Sequence, residues 1–293
     1  MAGPTPTYSA IVSHTAAFLA ELIADPLLRR HLLSAAAAAD GQQHPAATLQ
    51  ALSLVSDALD TAASGSPSPS PSSLRAAERL LRSLPAATPL SCLLLALARA
   101  ARRGGGAAAA AAVLDLFALD PALARHELAP TVFEALFAPR LLPVMRHFAA
   151  RRASAAVAAA AAKAKDEDGG SDEATAVSAM RVLSLMSGAQ AQEMRALERE
   201  YEKVLDANCK AYAHYLKRIL EAGEPSSTAV SPSPPPPELV FGVGDDGDSR
   251  GDEDAAPEND DSVASSQSEL RDNVITRHSA PFLLVLILKH MTS

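Results

Sequence analysis

Residues 107–148 read AAAAAAVLDLFALDPALARHELAPTVFEALFAPRLLPVMRHF, an apolar run at helical spacing that prolines keep interrupting. Val113, Leu114, Phe117 and Leu119 share one helical face, with Asp115 on the other. Asp120-Pro121 stops that helix, because the residue before a proline is pushed out of the α region. Pro130 stands where a new helix would begin, and Val132, Phe133, Leu136 and Phe137 supply its apolar face. Pro139 and Pro143 each cost roughly 3 kcal/mol in a helix interior, so they are expected to divide the end of the stretch into short turns. Four of the seven phenylalanines lie here (Phe117, Phe133, Phe137 and Phe148), which makes the stretch the expected core and a tight corner between helices.

The rest of the chain points to an all-α fold, a multi-helix bundle or armadillo-like array. Hydrophobic residues make up 48% and aromatics 4%. Alanine supplies much of the first figure, so core depth rests on leucines and a few rings. Ala and Leu favour helix, and β-branched residues are sparse.

Read in order, residues 6–24 predict a first helix with Tyr8, Ile11, Val12, Thr15, Phe18, Leu19 and Leu22 on one broad face. Pro26 restarts the chain into a short helix through Leu27, Leu28, Leu32 and Leu33, and Asp40-Gly41 ends it. A third helix, 47–63, is expected to bury Leu49, Leu52, Val55 and Leu59. A Ser/Pro linker ends at Pro71, and Ser72 or Ser73 is the expected cap of a fourth helix with Leu74, Leu80, Leu81 and Leu84 on its stripe. Thr88-Pro89 opens a fifth, almost wholly apolar over 90–97 and closed by Gly104–Gly106. That run is far short of the ~20 residues that span a bilayer, so it reads as a buried central helix and not a membrane span.

Residues 149–165 are mostly alanine, able to stay helical but with little to bury. After a charged break, Ser171 or Asp172 caps a helix that Gly188 closes. Residues 193–220 then form the longest clean helix: Met194, Leu197, Tyr201, Val204, Leu205, Tyr212, Leu216 and Ile219 follow a 3.6 period, and the pattern breaks at Asn208. Asp206–Lys210 and Lys217–Glu221 are expected to pair at i,i+4 on the solvent side, worth about 0.2–0.5 kcal/mol each. Self-association through the apolar face, giving a homodimer, is the alternative to docking on the chain's own domain.

Charge divides the molecule. The net value is −8, yet residues 223–272 hold thirteen acids against two bases. The remainder is therefore close to neutral, and the acidity belongs to a Pro-rich, acidic linker expected to be disordered. Within it SPSPPPP (231–237) reads as a polyproline spacer. The basic pairs Arg29/Arg30, Arg102/Arg103 and Arg151/Arg152 form no stripe with interleaved aromatics, which argues against a nucleic-acid module; service to helix dipoles is expected of them. The chain thus divides into three units: a helical domain, 1–222, with breaks near 64–72 and 163–172; the linker, 223–272; and an apolar end, 273–293.

No catalytic set assembles. His126-Glu127 lacks the second histidine of H-E-x-x-H, and neither C-x-x-C nor G-x-S-x-G occurs. Gly242-Val-Gly244-Asp-Asp-Gly247 matches a dinucleotide fingerprint, but no helix is expected after it and its aspartates would repel a pyrophosphate. Asp246-x-Asp248-x-Arg250-Gly251 imitates a calcium loop with Arg250 at a ligand position. No cofactor and no metal are therefore expected. Cys92 and Cys209 are expected as buried free thiols, and no signal peptide is apparent, so the expected setting is intracellular, cytoplasmic or nuclear.

Two blocks carry a family resemblance. LDLFALDPALARHELAPTVFEALFAPRLLPVMRHF (114–148) resembles the N-terminal region of the plant LIN (CERBERUS) type ubiquitin ligases, and EMRALEREYEKVLDANCKAYAHYLKRIL (193–220) is similar to that family's tyrosine-bearing helix. The order is the family's, and the resemblance covers about residues 1–222. It implies a helical N-terminal domain, followed in the family by a U-box, helical repeats and WD40 repeats. The ligase residues of the family lie in the U-box, which these residues do not include, so the expectation is a non-catalytic protein-interaction module or a truncated ligase. The apolar 281–288 is then expected to dock on the helical domain, to pair weakly as a strand or to be a truncation product, the last being favoured by the resemblance. Phe133, Phe137, Tyr201, Tyr212 and Tyr215 are the candidate interaction surface, toward a protein partner that the sequence does not name.

Overall fold

A computed structural model describes residues 5–39, 44–63, 70–102, 104–166, 188–223 and 235–242. All regular structure among them is helical: α1 (Tyr8–Ala24), α2 (Pro26–Ala39), α3 (Ala46–Ala63), α4 (Pro71–Arg82), α5 (Pro89–Ala100), α6 (Gly106–Leu119), α7 (Pro121–Leu123), α8 (Pro130–Val132), α9 (Ala138–Asp166) and α10 (Gly188–Ala222). α7 and α8 each run on into a wider π turn, Ala124–Leu128 and Phe133–Phe137. The expected all-α class holds for these residues. None of the described helices is by itself long and apolar enough to cross a membrane.

α1 buries Ile11, Thr15, Phe18, Leu19 and Leu22, close to the expected stripe. Thr7 caps it by accepting from the Ala10 N–H at 3.3 Å. The chain then bends by 108° at Asp25-Pro26, and the Asp25 carboxylate accepts from the Leu27 and Leu28 amides. α2 departs from expectation. Leu27 is 74% exposed, while Arg29 is buried and donates to the Leu22 and Ile23 carbonyls and to Asp60 of α3. Its guanidinium satisfies carbonyls that the end of α1 leaves open, so the dipole it serves is that of the preceding helix.

α3 is turned from the expected face. Thr48, Ala51, Val55, Ala58 and Leu59 are buried and Leu49 is 51% exposed. A period of 3.6 accommodates either stripe, and the small residues Ala51 and Ala58 allow a close approach that leucine would not. α4 begins at Pro71 with Ser70 as its cap, earlier than the serines expected.

α5 matches its prediction. Thr88 and Ser91 form a reciprocal capping box around Pro89, and Leu90, Leu93, Leu94 and Leu97 are fully buried. Thr88→Ala is expected to cost about 1 kcal/mol, read as a shift in the urea midpoint at unchanged slope. The turn into α6 needs glycine twice. Gly104 has φ +80, and a Cβ on Gly105 would lie 2.1 Å from the Arg99 carbonyl oxygen. α5 packs along α6, α3 along α4, and α10 against both α6 and α9.

Glu78 of α4 gathers three arginines, Arg82, Arg99 and Arg102. Burial pushes its carboxyl up, but the hydrogen bond from Arg99 and the three positive charges outweigh that and hold it below the usual glutamate range. A lowered folded-state pKa means that the stabilisation is present above the unfolded value and lost as pH falls through the folded one. Urea midpoints between pH 7 and pH 3 are thus expected to drop less steeply below about pH 4.3 for Glu78→Gln than for the parent chain.

The proline-rich corner behaves differently from its reading. Asp120-Pro121 does end α6, with a 117° bend and the Asp120 side chain accepting from the Leu123 amide. Pro139 and Pro143, however, do not break the chain into short turns: α9 runs through both to Asp166. Burial outweighs the local cost, since Leu141, Val144, Met145 and Phe148 all reach the core. The accommodation shows upstream. Both π turns end within two residues of a proline, with the Ala129 amide reaching back to Ala124 and the Ala138 amide to Phe133. A π turn inserts one residue and re-phases the faces of the helix on either side. Gly188, expected to close the preceding helix, instead starts α10. The helix expected after Ser171, the acidic residues 243–272, both decoy motifs beyond Gly242 and the apolar 281–288 lie outside the described residues.

Candidate functional site

The five aromatic residues proposed as an interaction surface are all interior. Phe133, Phe137, Tyr201, Tyr212 and Tyr215 are each less than about one-tenth exposed. They form a ring cluster instead. Phe137 stacks on Phe117 at 4.4 Å and makes a T-shaped pair with Tyr212 at 5.7 Å, and Tyr212 stacks on Tyr215 at 5.7 Å. Phe148 and Tyr201 join α9 to α10 at 5.3 Å. The expectation failed because ring-bearing residues on a helix face look the same in sequence whether they meet a partner or their own domain. The same packing covers the face of α10 considered for self-association.

Burial sets the chemistry of these groups. The Tyr201 hydroxyl and the Cys209 thiol are pushed up, Cys209 to about 12, so it is not a nucleophile at neutral pH. Both cysteines are buried thiols, as expected. Burial together with the neighbouring Tyr215 raises Tyr212 to about 12. The Tyr212 hydroxyl has no hydrogen-bond partner in its buried position. Removing a buried, unpaired hydroxyl relieves a desolvation cost, so Tyr212→Phe is expected to leave stability unchanged or raise it by up to about 1 kcal/mol, measured by urea denaturation.

A buried arginine joins the two blocks. The π turn at Ala124–Leu128 aims Arg125, 2% exposed, at α10, where Glu202 and Asp206, one turn apart, both accept from it. Its Nε donates to His126 Nε2 at 3.1 Å. Asp206 thus faces Arg125 rather than Lys210. Lys217 likewise reaches Asp115 of α6 at 2.7 Å rather than pairing along its own helix with Glu221. Fixed charges on packed neighbours out-compete flexible i,i+4 partners, which the sequence could not anticipate. Arg151 and Arg152 also pair across, with Glu200 and Glu198. No cluster of His, Cys, Asp and Glu able to hold a metal occurs among the described residues.

The polar residue that breaks the apolar period of α10 is the informative one. Asn208 is 4% exposed. Its Nδ2 donates to Val204 O, one turn back, at 2.8 Å. The same amide meets the non-helical segment 235–242 on both sides of one residue: Nδ2 donates to Val240 O at 2.8 Å, and Oδ1 accepts from Val240 N at 2.9 Å. Arg140 of α9 donates to Pro237 O at 3.0 Å, and Phe241 makes a T-shaped pair with His147 at 5.5 Å. The polyproline spacer expected here thus ends in a docked segment without regular secondary structure, and the compact unit runs from Met1 to Phe241. Past Phe241 an open groove of about 620 Å³ continues between α9 and α10, lined by His147, Arg151, Met194, Leu197 and Glu200 among others. An asparagine on an otherwise apolar face was the signal in the sequence; its partner, thirty-two residues away, was not.

The sequence profile described as E3 ubiquitin-protein ligase LIN-like, ARM repeat, matches residues 92–238. No curated protein and no solved structure matches the chain. The matched residues run from the first turn of α5, through the π turns and Arg125, to the segment that Asn208 holds, and they make up half of the sequence. The chain belongs to the LIN-like E3 ubiquitin-protein ligase family, represented here by its ARM-repeat helical region.

Proposed function

We propose that this helical domain is a non-catalytic protein-interaction module working in the ubiquitin pathway, which presents a surface and performs no chemistry of its own. The observation that carries the reading is Asn208, a buried amide on α10 that holds both the N–H and the C=O of Val240 in a non-helical segment. The membership in a ligase family supports the pathway, and two buried cysteine thiols are in keeping with an intracellular setting. The test is autoubiquitination of the purified chain with E1, a panel of E2 enzymes, ubiquitin and ATP. No ubiquitin ladder is expected, and a ladder that depends on this chain would refute the reading in favour of a ligase.

A dimerising scaffold is the weaker alternative. The α10 face that would zip two copies together is already spent on Phe137, Phe148 and α6. Light scattering is expected to return the mass of one chain.

A further inference from the structure

We propose that the α9–α10 track running from Arg140 through Asn208 to His147 is a docking groove for an extended, proline-led segment of a partner protein, and that residues 235–242 occupy it as an internal stand-in. This deepens the interaction-module reading and rests on it.

The stand-in shows what the groove recognises. Its entry is proline, with the Pro237 carbonyl held by Arg140. Its centre is an extended residue whose N–H and C=O are both taken by Asn208. Its exit is an aromatic ring against His147. A proline-led entry lowers the ordering cost of an extended ligand, because such a segment is already close to the bound conformation.

The stand-in is lightly held. Val240 is 48% exposed and Phe241 40% exposed, and Pro236, Pro237 and Leu239 are only half-buried, so no residue of the segment is fully buried. Its advantage is the tether. Residues 224–234 join the end of α10 to it, and eleven residues can extend to about 36 Å, ample to return along the ~22 Å from Gly223 to Asn208. Such a tether gives an effective concentration in the millimolar range without adding any contact. A foreign segment that also fills the 620 Å³ groove beyond Phe241 gains apolar contact with Met194 and Leu197 that the stand-in does not make in that groove. Arg140 adds a further sign of a binding track: its Nε is buried without a partner while its Nη2 holds the segment.

Fluorescence polarisation with a labelled peptide of sequence PPPELVFG tests the proposal on the full chain and on a Val240→Pro, Phe241→Ala chain. Proline at 240 removes the N–H that Asn208 accepts, which releases the stand-in. The released chain is expected to bind the peptide at least tenfold more tightly than the parent, and adding Asn208→Leu is expected to abolish the gain. Equal affinity for both chains, or no saturable binding to a released chain whose circular dichroism remains helical, would overturn the proposal. On the unaltered chain, excess peptide should speed hydrogen exchange at the Val240 amide, so the test survives even if the released chain folds poorly; unchanged exchange at saturating peptide counts against it. A parent chain that is a dimer and becomes a monomer on Val240→Pro would assign the groove to a second copy and also overturn it. Failure here leaves the interaction-module reading to its own ubiquitination test.

Discussion

Arg125→Ala will destabilise the domain by about 3–5 kcal/mol, the range for breaking a buried ion pair by removing one partner. Arg125 is buried and bridges Glu202 and Asp206. Alanine would leave two carboxylates, about one-fifth and one-third exposed, facing a void with no counter-charge. Urea denaturation followed at 222 nm reads the loss as a lower midpoint. The charge explanation has its own control. In Arg125→Ala, Glu202→Gln, Asp206→Asn the carboxylates are gone as well, so the triple variant should be less destabilised than the sum of its separate changes, by a coupling of about 0.5–3 kcal/mol. Strict additivity would mean that Arg125 acts by filling space alone. The effect should reach α10 first, because this is the bridge that fastens it to the π turn after α7.

Phe137→Ala is expected to cost a similar amount, about 3–5 kcal/mol, for a different reason. The ring is fully buried and touches three others: Phe117 at 4.4 Å, Tyr212 at 5.7 Å and Phe133 at 6.1 Å. Truncation leaves a cavity where α6, the second π turn and α10 converge. Phe137→Leu keeps most of the volume and should cost appreciably less than alanine. If alanine and leucine prove equally damaging, the loss would come from ring geometry and not from the cavity, which the same denaturation curves would show.

The helices themselves were legible because their signals are local. Thr88-Pro89 and Asp120-Pro121 are boundaries that two adjacent residues specify, and both stand where they were read. The faces were less legible. Leu27 and Leu49 are leucines at plausible core positions, yet both are exposed, because small alanines and a buried arginine took the contact instead. Whether a proline breaks a helix also depends on what the later turns bury, and Pro143 lies inside α9 for that reason. The candidate site was least legible. Tyr212 and Phe133 read as surface candidates only because they are aromatic, and aromatic residues are where a small core concentrates its area. Asn208 was visible as a break in the period, but the meaning of that break lay in a backbone segment beyond the end of the helix.

Asn208 touches the amide and the carbonyl of Val240 but grips nothing that distinguishes valine from most other residues. Recognition of that kind is degenerate: every amino acid except proline offers it the same pair of atoms. Discrimination between clients then falls to the flank at His147, whose ring meets the Phe241 side chain, and a family of such domains could change clientele by altering that position while leaving the asparagine alone.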